Sequence, residues 1–193
     1  MGRYIGPKMK KRRRLGLATE GESIRKKDQR TARLSAYGER LLQKQRLKFI
    51  YGVMERQMKR YAREALKGTG NPQIELLRRL ETRLDNIAYR LGFGKTREQA
   101  RQTVNHGHIV VDGRKVDIAS YEVKPGQTIG LAAKVLKRAN FLEQVKNNRK
   151  ESTVLGFLEY GENQGRLLSV PSENDLPKNV EMNQVLEFYR RVI

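Results

Sequence analysis

RLDNIAYRLGFGKTREQARQTVNHGHIVVDGRKVDIASYEVKPGQTI, residues 83–129, changes its hydrophobic period partway along, and that change decides the fold. Upstream and into its start, Ile74, Leu77, Leu80, Leu84, Ile87 and Leu91 step by three or four, the spacing of one helix face. Gly92-Phe93-Gly94 stops that stretch, since glycine just past the last periodic residue ends a helix. Thr96-Arg97-Glu98-Gln99 has capping-box spacing and predicts a short helix to about Asn105, with Ala100 and Val104 inward and Arg97 and Arg101 on an exposed edge. The period then drops to two. His108-Ile109-Val110-Val111 reads as a strand, Asp112-Gly113 as a tight turn, and Arg114-Lys115-Val116 as the returning strand. Pro125-Gly126 turns the chain again before Thr128-Ile129-Gly130-Leu131. Two short helices followed by a small antiparallel sheet are expected here.

Outward from this core the charge is one-sided. The 193 residues hold 41 Lys and Arg against 21 Asp and Glu, a net charge of +20. Self-repulsion of that size burdens a compact fold, and a polyanionic partner relieves it. Residues 1–67 carry 21 basic and 6 acidic side chains, whereas residues 151–193 carry 4 and 7, so the polyanion contact is expected in the first third and the middle. No apolar run approaches the roughly 20 residues of a membrane span. The opening MGRYIGPKMKKRRRLG has no apolar stretch behind its basic one, unlike a secretory signal, and an intracellular home is expected. With no cysteine, disulfides and cysteine-ligated zinc or iron–sulfur sites are excluded, and no metal or cofactor is expected.

Residues 1–30, with Lys10-Lys11-Arg12-Arg13-Arg14 and Arg25-Lys26-Lys27, hold too few large apolar groups to offset chain entropy, and read as an arm that orders on RNA. From Ser35 to Lys67 the chain reads as helix, with Tyr51-Gly52 a candidate break. Met54, Met58, Tyr61 and Ala65 fall in one arc of a helical wheel, and Arg56, Lys59, Arg60, Arg63 and Lys67 on the opposite side. Such a stripe positions a protein on phosphates. No nucleophile and base beside a glycine-rich elbow, no phosphate loop and no paired carboxylates in apolar surroundings are present, so an enzyme is not expected. His106 and His108 flank a glycine with no cysteine nearby, a poor metal set.

Arg83-Leu84-Asp85, Gly92, Thr96-Arg97 with Ala100-Arg101, and His106-Gly107 followed by Val111-Asp112-Gly113 resemble the RNA-binding module named after ribosomal protein S four. That module also occurs in pseudouridine synthases, tyrosyl-tRNA synthetases and small RNA-binding heat-shock proteins, so the flanks discriminate. Tyr4, Gly6, Pro7 and Lys8, then Arg33-Leu34-Ser35 with Tyr37-Gly38, and QRLKFIYGVMERQMKRY at residues 45–61 resemble the N-terminal domain of the bacterial and organellar S four family of the small ribosomal subunit. Many of those relatives carry four cysteines and a zinc ion in this arm; here the cysteines are missing and the segment between about Arg14 and Arg33 is short.

The resemblance implies an α+β fold: a basic arm and helical N-terminal domain (1–82), an inserted helix–hairpin module with a small antiparallel sheet (83–145), and a C-terminal segment (146–193) folding back on the first domain. It implies a structural constituent of the ribosome, cytoplasmic or organellar, that binds the 5′ domain of small-subunit ribosomal RNA. It further implies nucleation of assembly, a place near incoming messenger RNA, an influence on decoding accuracy, and contact with ribosomal protein S five. With the basic chemistry, it assigns the RNA face to Arg3, Lys8, Lys10, Lys11, Arg12, Arg13 and Arg14 in the arm, and to Arg56, Lys59, Arg60 and Arg63 on the helix. In the module it assigns Arg83, Arg97, Arg101, Gln102, His106, Arg114 and Lys115, where a guanidinium can grip phosphate bidentately or stack on a base. His106 either donates to RNA or caps its helix. Lys44, Arg46 and Lys48 are assigned toward messenger, and Asp85 is read as a structural carboxylate that orients an arginine.

Overall fold

The structure is a computed structural model and describes residues 6–17, 34–151, 155–172 and 180–192. The chain divides into two compact units, one from residues 1–73 with 177–193 and one from residues 74–176.

In the first unit the helices are α1 (Lys8–Arg14), α2 (Ala36–Tyr51), α3 (Glu55–Lys67) and, near the C-terminus, α9 (Met182–Arg190). Ser35 caps α2, its hydroxyl accepting from the Gly38 N–H at 3.2 Å. Gly52, left-handed at φ 60°, ends it and separates α2 from α3, so the candidate break is a real one. Met58, Tyr61 and Ala65 are buried as their spacing predicts. Met54 is not: it sits at the start of α3 in extended backbone and is 49% exposed. α9 packs against both α2 and α3, and buries Val185, Leu186, Phe188 and Tyr189. Part of the basic arm is already structured. The Leu15 side chain is buried, and Arg46 Nε donates to the Leu15 carbonyl at 2.6 Å, anchoring the end of α1.

One carboxylate organises this unit. Glu55 Oε1 accepts from Lys44 Nζ at 3.2 Å and from the Tyr189 hydroxyl at 2.8 Å, while Oε2 accepts from Lys48 Nζ at 2.6 Å. Burial pulls Glu55 upward, but the hydrogen bonds from Lys48 and Tyr189 and the two lysine charges outweigh it, and Glu55 ends below the ordinary glutamate value. A carboxylate depressed in the folded state stabilises above its unfolded pKa, about 4.3, and that contribution disappears as pH falls through the folded value. Glu55→Gln is therefore expected to cost about 1 kcal/mol at pH 7, kept small because solvent reaches the group. In urea unfolding the gap to the unsubstituted chain closes below about pH 4. A gap of equal size at pH 3 and pH 7 would show that the charge contributes nothing.

The second unit holds α4 (Pro72–Glu81, its first two residues counted with the first unit), α5 (Leu84–Arg90), α6 (Arg97–Asn105), α7 (Ala133–Leu136) and α8 (Ala139–Glu151). Its strands are β1 (Ile109–Val111), β2 (Arg114–Lys115), β3 (Thr128–Leu131), β4 (Leu158–Tyr160) and β5 (Gln164–Leu167), in one antiparallel sheet ordered β2-β1-β3-β5-β4. The β1–β2 hairpin has Val111 opposite Arg114, and both turn residues, Asp112 at φ 48° and Gly113 at φ 78°, are left-handed as a two-residue turn requires. Asp112 accepts from the Thr128 N–H and from Gln127 Nε2, both at 2.8 Å, which ties the turn to β3. The Thr96 hydroxyl accepts from the Gln99 N–H at 3.2 Å, while the Gln99 side chain reaches back to the N–H of Lys95 rather than of Thr96. Leu84, Ile87, Leu91, Phe93, Ala100, Val104, Ile109, Val111, Ile129 and Leu131 join one buried cluster with Val145, Phe157, Leu158 and Leu167.

Three expectations change. The periodic stretch from Ile74 to Leu91 is two helices, because Arg83 takes extended backbone (ψ 137°) and bridges to Glu122. Around it Leu84 N–H donates to the Tyr121 carbonyl and Val123 N–H to the Thr82 carbonyl, so strand-like pairing replaces a helical turn. In the division into compact units α4 from Ile74 onward groups with the second unit, so that division falls ahead of the expected 82/83 boundary. The segment 146–193 is also split. Residues to 176 stay with the second unit, where β4 and β5 extend the sheet, and only residues 177–193 belong with the helical one. Among the described residues no helix is long and apolar enough to cross a membrane.

Candidate nucleic-acid interface

Only some of the basic side chains are available to a partner. In the first unit Lys8, Lys10 and Arg14 are exposed on α1, while Lys11, Arg12 and Arg13 are half-buried. Lys11 lies 5.5 Å from the Phe49 ring centre, and burial followed by the nearby Lys48 charge lowers its pKa. Arg3 and the Arg25-Lys26-Lys27 run lie outside the described residues. On α3, Arg56, Arg60 and Arg63 are exposed. Arg60 lies 3.8 Å from Glu64 one turn on. Lys59 is half-buried and donates to the Val192 carbonyl at 3.1 Å, so it closes the C-terminal end of the unit instead of completing the arginine stripe.

The run assigned toward messenger does not form an outward face. Lys44 is 6% exposed, paired with Glu55 and seated 4.2 Å from the centre of the Phe188 ring. Lys48 stands one turn further along the same helix face, on the other oxygen of Glu55, and Arg46 is engaged with Leu15. These three cations hold the first unit together.

In the module, Arg83 departs from the exposed face expected of it. It is 3% exposed, and its Nε and Nη2 donate to the two oxygens of Asp85 at 3.0 and 2.8 Å. Asp85 is the orienting carboxylate its sequence context suggested, and it also lies 3.8 Å from Arg101 Nη1. A second buried carboxylate, Glu81, accepts from Arg90 Nη2 at 2.9 Å and from Asn86 Nδ2 at 2.6 Å. Asn86 Oδ1 then accepts from Arg97 Nε at 2.8 Å, and the Arg97 guanidinium lies 4.6 Å from the Tyr89 ring centre. Arg97 and Arg101, both half-buried, are thus held at the surface by fixed partners beneath them. Gln102, His106, Arg114 and Lys115 are exposed beside them in sequence on α6 and the hairpin, and the His106 backbone N–H caps α6 onto Gln102.

Such an arrangement suits phosphate and base recognition: guanidinium groups pre-oriented from below lose less entropy when they bind. Glu81, Asn86 and Tyr89, which set Arg97, were not singled out in the sequence, nor was Arg149. That side chain donates to the carbonyls of Leu91 (2.8 Å), Gly161, Glu162 (2.7 Å) and Gln164, clasping the end of α5 to the β4–β5 turn. Its charge satisfies backbone acceptors at a helix end. Among the described residues no group of three or more His, Cys, Asp or Glu is placed to hold a metal ion.

This combination of a helical basic unit and a helix–hairpin module matches two families of known domains. The S4 domain matches residues 82–129, and the ribosomal protein S4/S9 N-terminal domain matches residues 3–81. Small ribosomal subunit protein uS4 of Sulfurihydrogenibium sp. is 43% identical over 203 residues, covering 98% of this chain and 99% of that protein. The uS4 proteins of Persephonella marina (42%, 98% of this chain and 99% of that protein) and Chloroflexus aurantiacus (40%, 99% and 100%) are similar over the same extent. The chain belongs to the uS4 family of small ribosomal subunit proteins. Its role is structural and RNA-binding, in translation, rather than enzymatic.

Proposed function

We propose that this protein is a structural constituent of the small ribosomal subunit that binds the 5′ domain of its ribosomal RNA and helps nucleate assembly there. The observation that carries the reading is the pre-orientation of Arg97 and Arg101, through Asn86 and Asp85, next to the exposed Gln102, His106, Arg114 and Lys115. Side chains cannot enter the narrow major groove of A-form RNA, so a rigid cationic face reads shape and phosphate position. Exposed Arg56, Arg60 and Arg63 on α3 add phosphate contacts and long-range attraction. A place near incoming messenger, an effect on decoding and contact with ribosomal protein S five follow from the family resemblance. Lys44, Arg46 and Lys48 are left out of any messenger contact, because their charges are already engaged.

The test is a filter-binding titration of the whole chain against 5′-domain RNA, with bulk transfer RNA as competitor. Affinity is expected to fall on the order of a thousandfold between about 50 and 200 mM salt, with a preference for the 5′ domain surviving at the upper end. Equal loss on both RNAs, with no preference left, would reduce the protein to a generic basic binder.

A further inference from the structure

Around Gly107 the side chains of His106, His108 and Lys115 lie close together, and the charge of Arg138 acts on His108 from a neighbouring element. His106 ends α6, His108 precedes β1, Lys115 stands on β2 and Arg138 follows α7. The His106 and His108 rings meet edge-on, their centres 5.8 Å apart. Lys115 crosses the Gly107 backbone so closely that a Cβ there would overlap its Cε and Nζ; at φ 67° the position suits glycine on conformational grounds too. The His108 main chain is fixed on both sides, its N–H donating to Thr103 and its carbonyl accepting from Ala132 at 2.9 Å. The side chain is therefore placed by rigid backbone, not by a mobile loop.

The cluster holds charges of one sign. Burial, then Arg138, His106 and Lys115, holds His108 below the ordinary histidine value, and among the described residues no acidic group counters them. Neither Lys115 nor Arg138 is paired with a carboxylate among the described residues. Elsewhere in this unit the cations Arg83, Arg90 and Arg149 are matched to carboxylates or carbonyls. Repulsion left uncompensated at one place is relieved by an anion from outside.

We propose that His106, His108, Lys115 and Arg138 form a phosphate-binding site that takes a phosphodiester group of the RNA backbone. The proposal rests on the RNA-binding reading and adds His108 and Arg138 to it. Without a bound anion, burial and the surrounding positive charges favour the neutral imidazole of His108. A phosphate between these groups favours the charged imidazole, so binding takes up a proton from solvent, and affinity rises as pH falls between the free and bound values.

The whole chain is titrated with 5′-domain RNA at pH 6, 7 and 8 at fixed ionic strength, beside the His108→Gln and Arg138→Gln variants. The expected gain from pH 8 to 6 is several-fold, with roughly tenfold per pH unit the ceiling for one proton. His108→Gln should flatten that slope, and Arg138→Gln should weaken binding at every pH. By proton NMR the His108 ring should titrate at higher pH with RNA bound than without. An unchanged pH slope in His108→Gln, or an unmoved His108 titration in the complex, overturns the proposal while RNA binding itself stands. Inorganic phosphate forms a separate arm: a shift of His108 as large as with RNA would overturn the assignment to backbone phosphodiester. Loss of all RNA binding in the unsubstituted chain would instead remove the underlying reading.

Discussion

Asp85→Ala is expected to destabilise the module by about 3–5 kcal/mol, one of the largest effects of any single substitution in this chain. The cause is the charge left behind. Arg83 is 3% exposed, and its guanidinium gives two hydrogen bonds to Asp85, with a longer approach to the Ala119 carbonyl at 3.5 Å. Without the carboxylate a full positive charge stays in the interior without the anion that balances it. Arg83 cannot swing out, because its own backbone is tied into the bridge with Glu122 that separates α4 from α5. The companion substitution discriminates: Asp85→Leu combined with Arg83→Met should recover most of the loss, since replacing both partners with apolar groups removes the unpaired charge. Urea unfolding followed by circular dichroism measures both. A loss below 1 kcal/mol for Asp85→Ala, or no recovery in the double variant, would show that the pair is not the interior ion pair its geometry indicates.

That pair also shows where sequence reasoning reaches its limit. The α5–α6–hairpin order was legible because each signal is local: a period of three or four up to Leu91, a hydroxyl at Thr96 three residues before Gln99, and Asp112-Gly113 between the apolar Ile109-Val110-Val111 and the returning Arg114-Lys115-Val116. The break at Thr82-Arg83 was not, because the groups that make it, the backbone of Ala119 to Val123, lie over thirty residues away. β4 and β5 escaped notice because strands of three and four residues are too short for alternation to stand out, and Gly165 sits within one. That glycine is there for space: a Cβ would collide with the Leu91 side chain and the Glu159 carbonyl.

The candidate site divides along the same line. Composition counts cations but does not show which are already engaged. Arg56 and Lys44 are alike on paper, yet Arg56 faces solvent and Lys44 faces Glu55, eleven residues ahead in another helix. Lys59 sits on the same stripe as Arg56 and Arg63, and it alone meets a carbonyl from α9's end. Arg97 was singled out for its charge, while what gives it direction is a relay from Glu81 through Asn86, two residues with no separate signature. Burial and pairing, which only the fold supplies, turn a +20 chain into a limited set of available contacts.

The arginines of α3 provide the decisive test of that distinction. Changing Arg56, Arg60 and Arg63 together to Gln is expected to lower affinity for the 5′-domain RNA by about a hundredfold or more near 100 mM salt. Each phosphate contact releases roughly one counterion, so the dependence of log affinity on log salt should also become shallower by about two to three. Stability should change little, since all three side chains are exposed and surface substitutions usually stay within about 0.5 kcal/mol. Glu64 at 3.8 Å from Arg60 makes a helical pair of the kind worth about 0.3–0.5 kcal/mol, and Arg60 also lies 5.6 Å from the Tyr61 ring centre. Lys59→Gln serves as the contrast: it should alter salt dependence less than any one of the arginines, because its ammonium is committed to Val192. An unchanged slope in the triple variant, with its circular dichroism intact, would take α3 off the RNA surface and leave recognition to the arm and the module. A slope reduced by the full amount without loss of 5′-domain preference would make α3 the source of attraction, with shape discrimination residing in the pre-oriented Arg97 and Arg101.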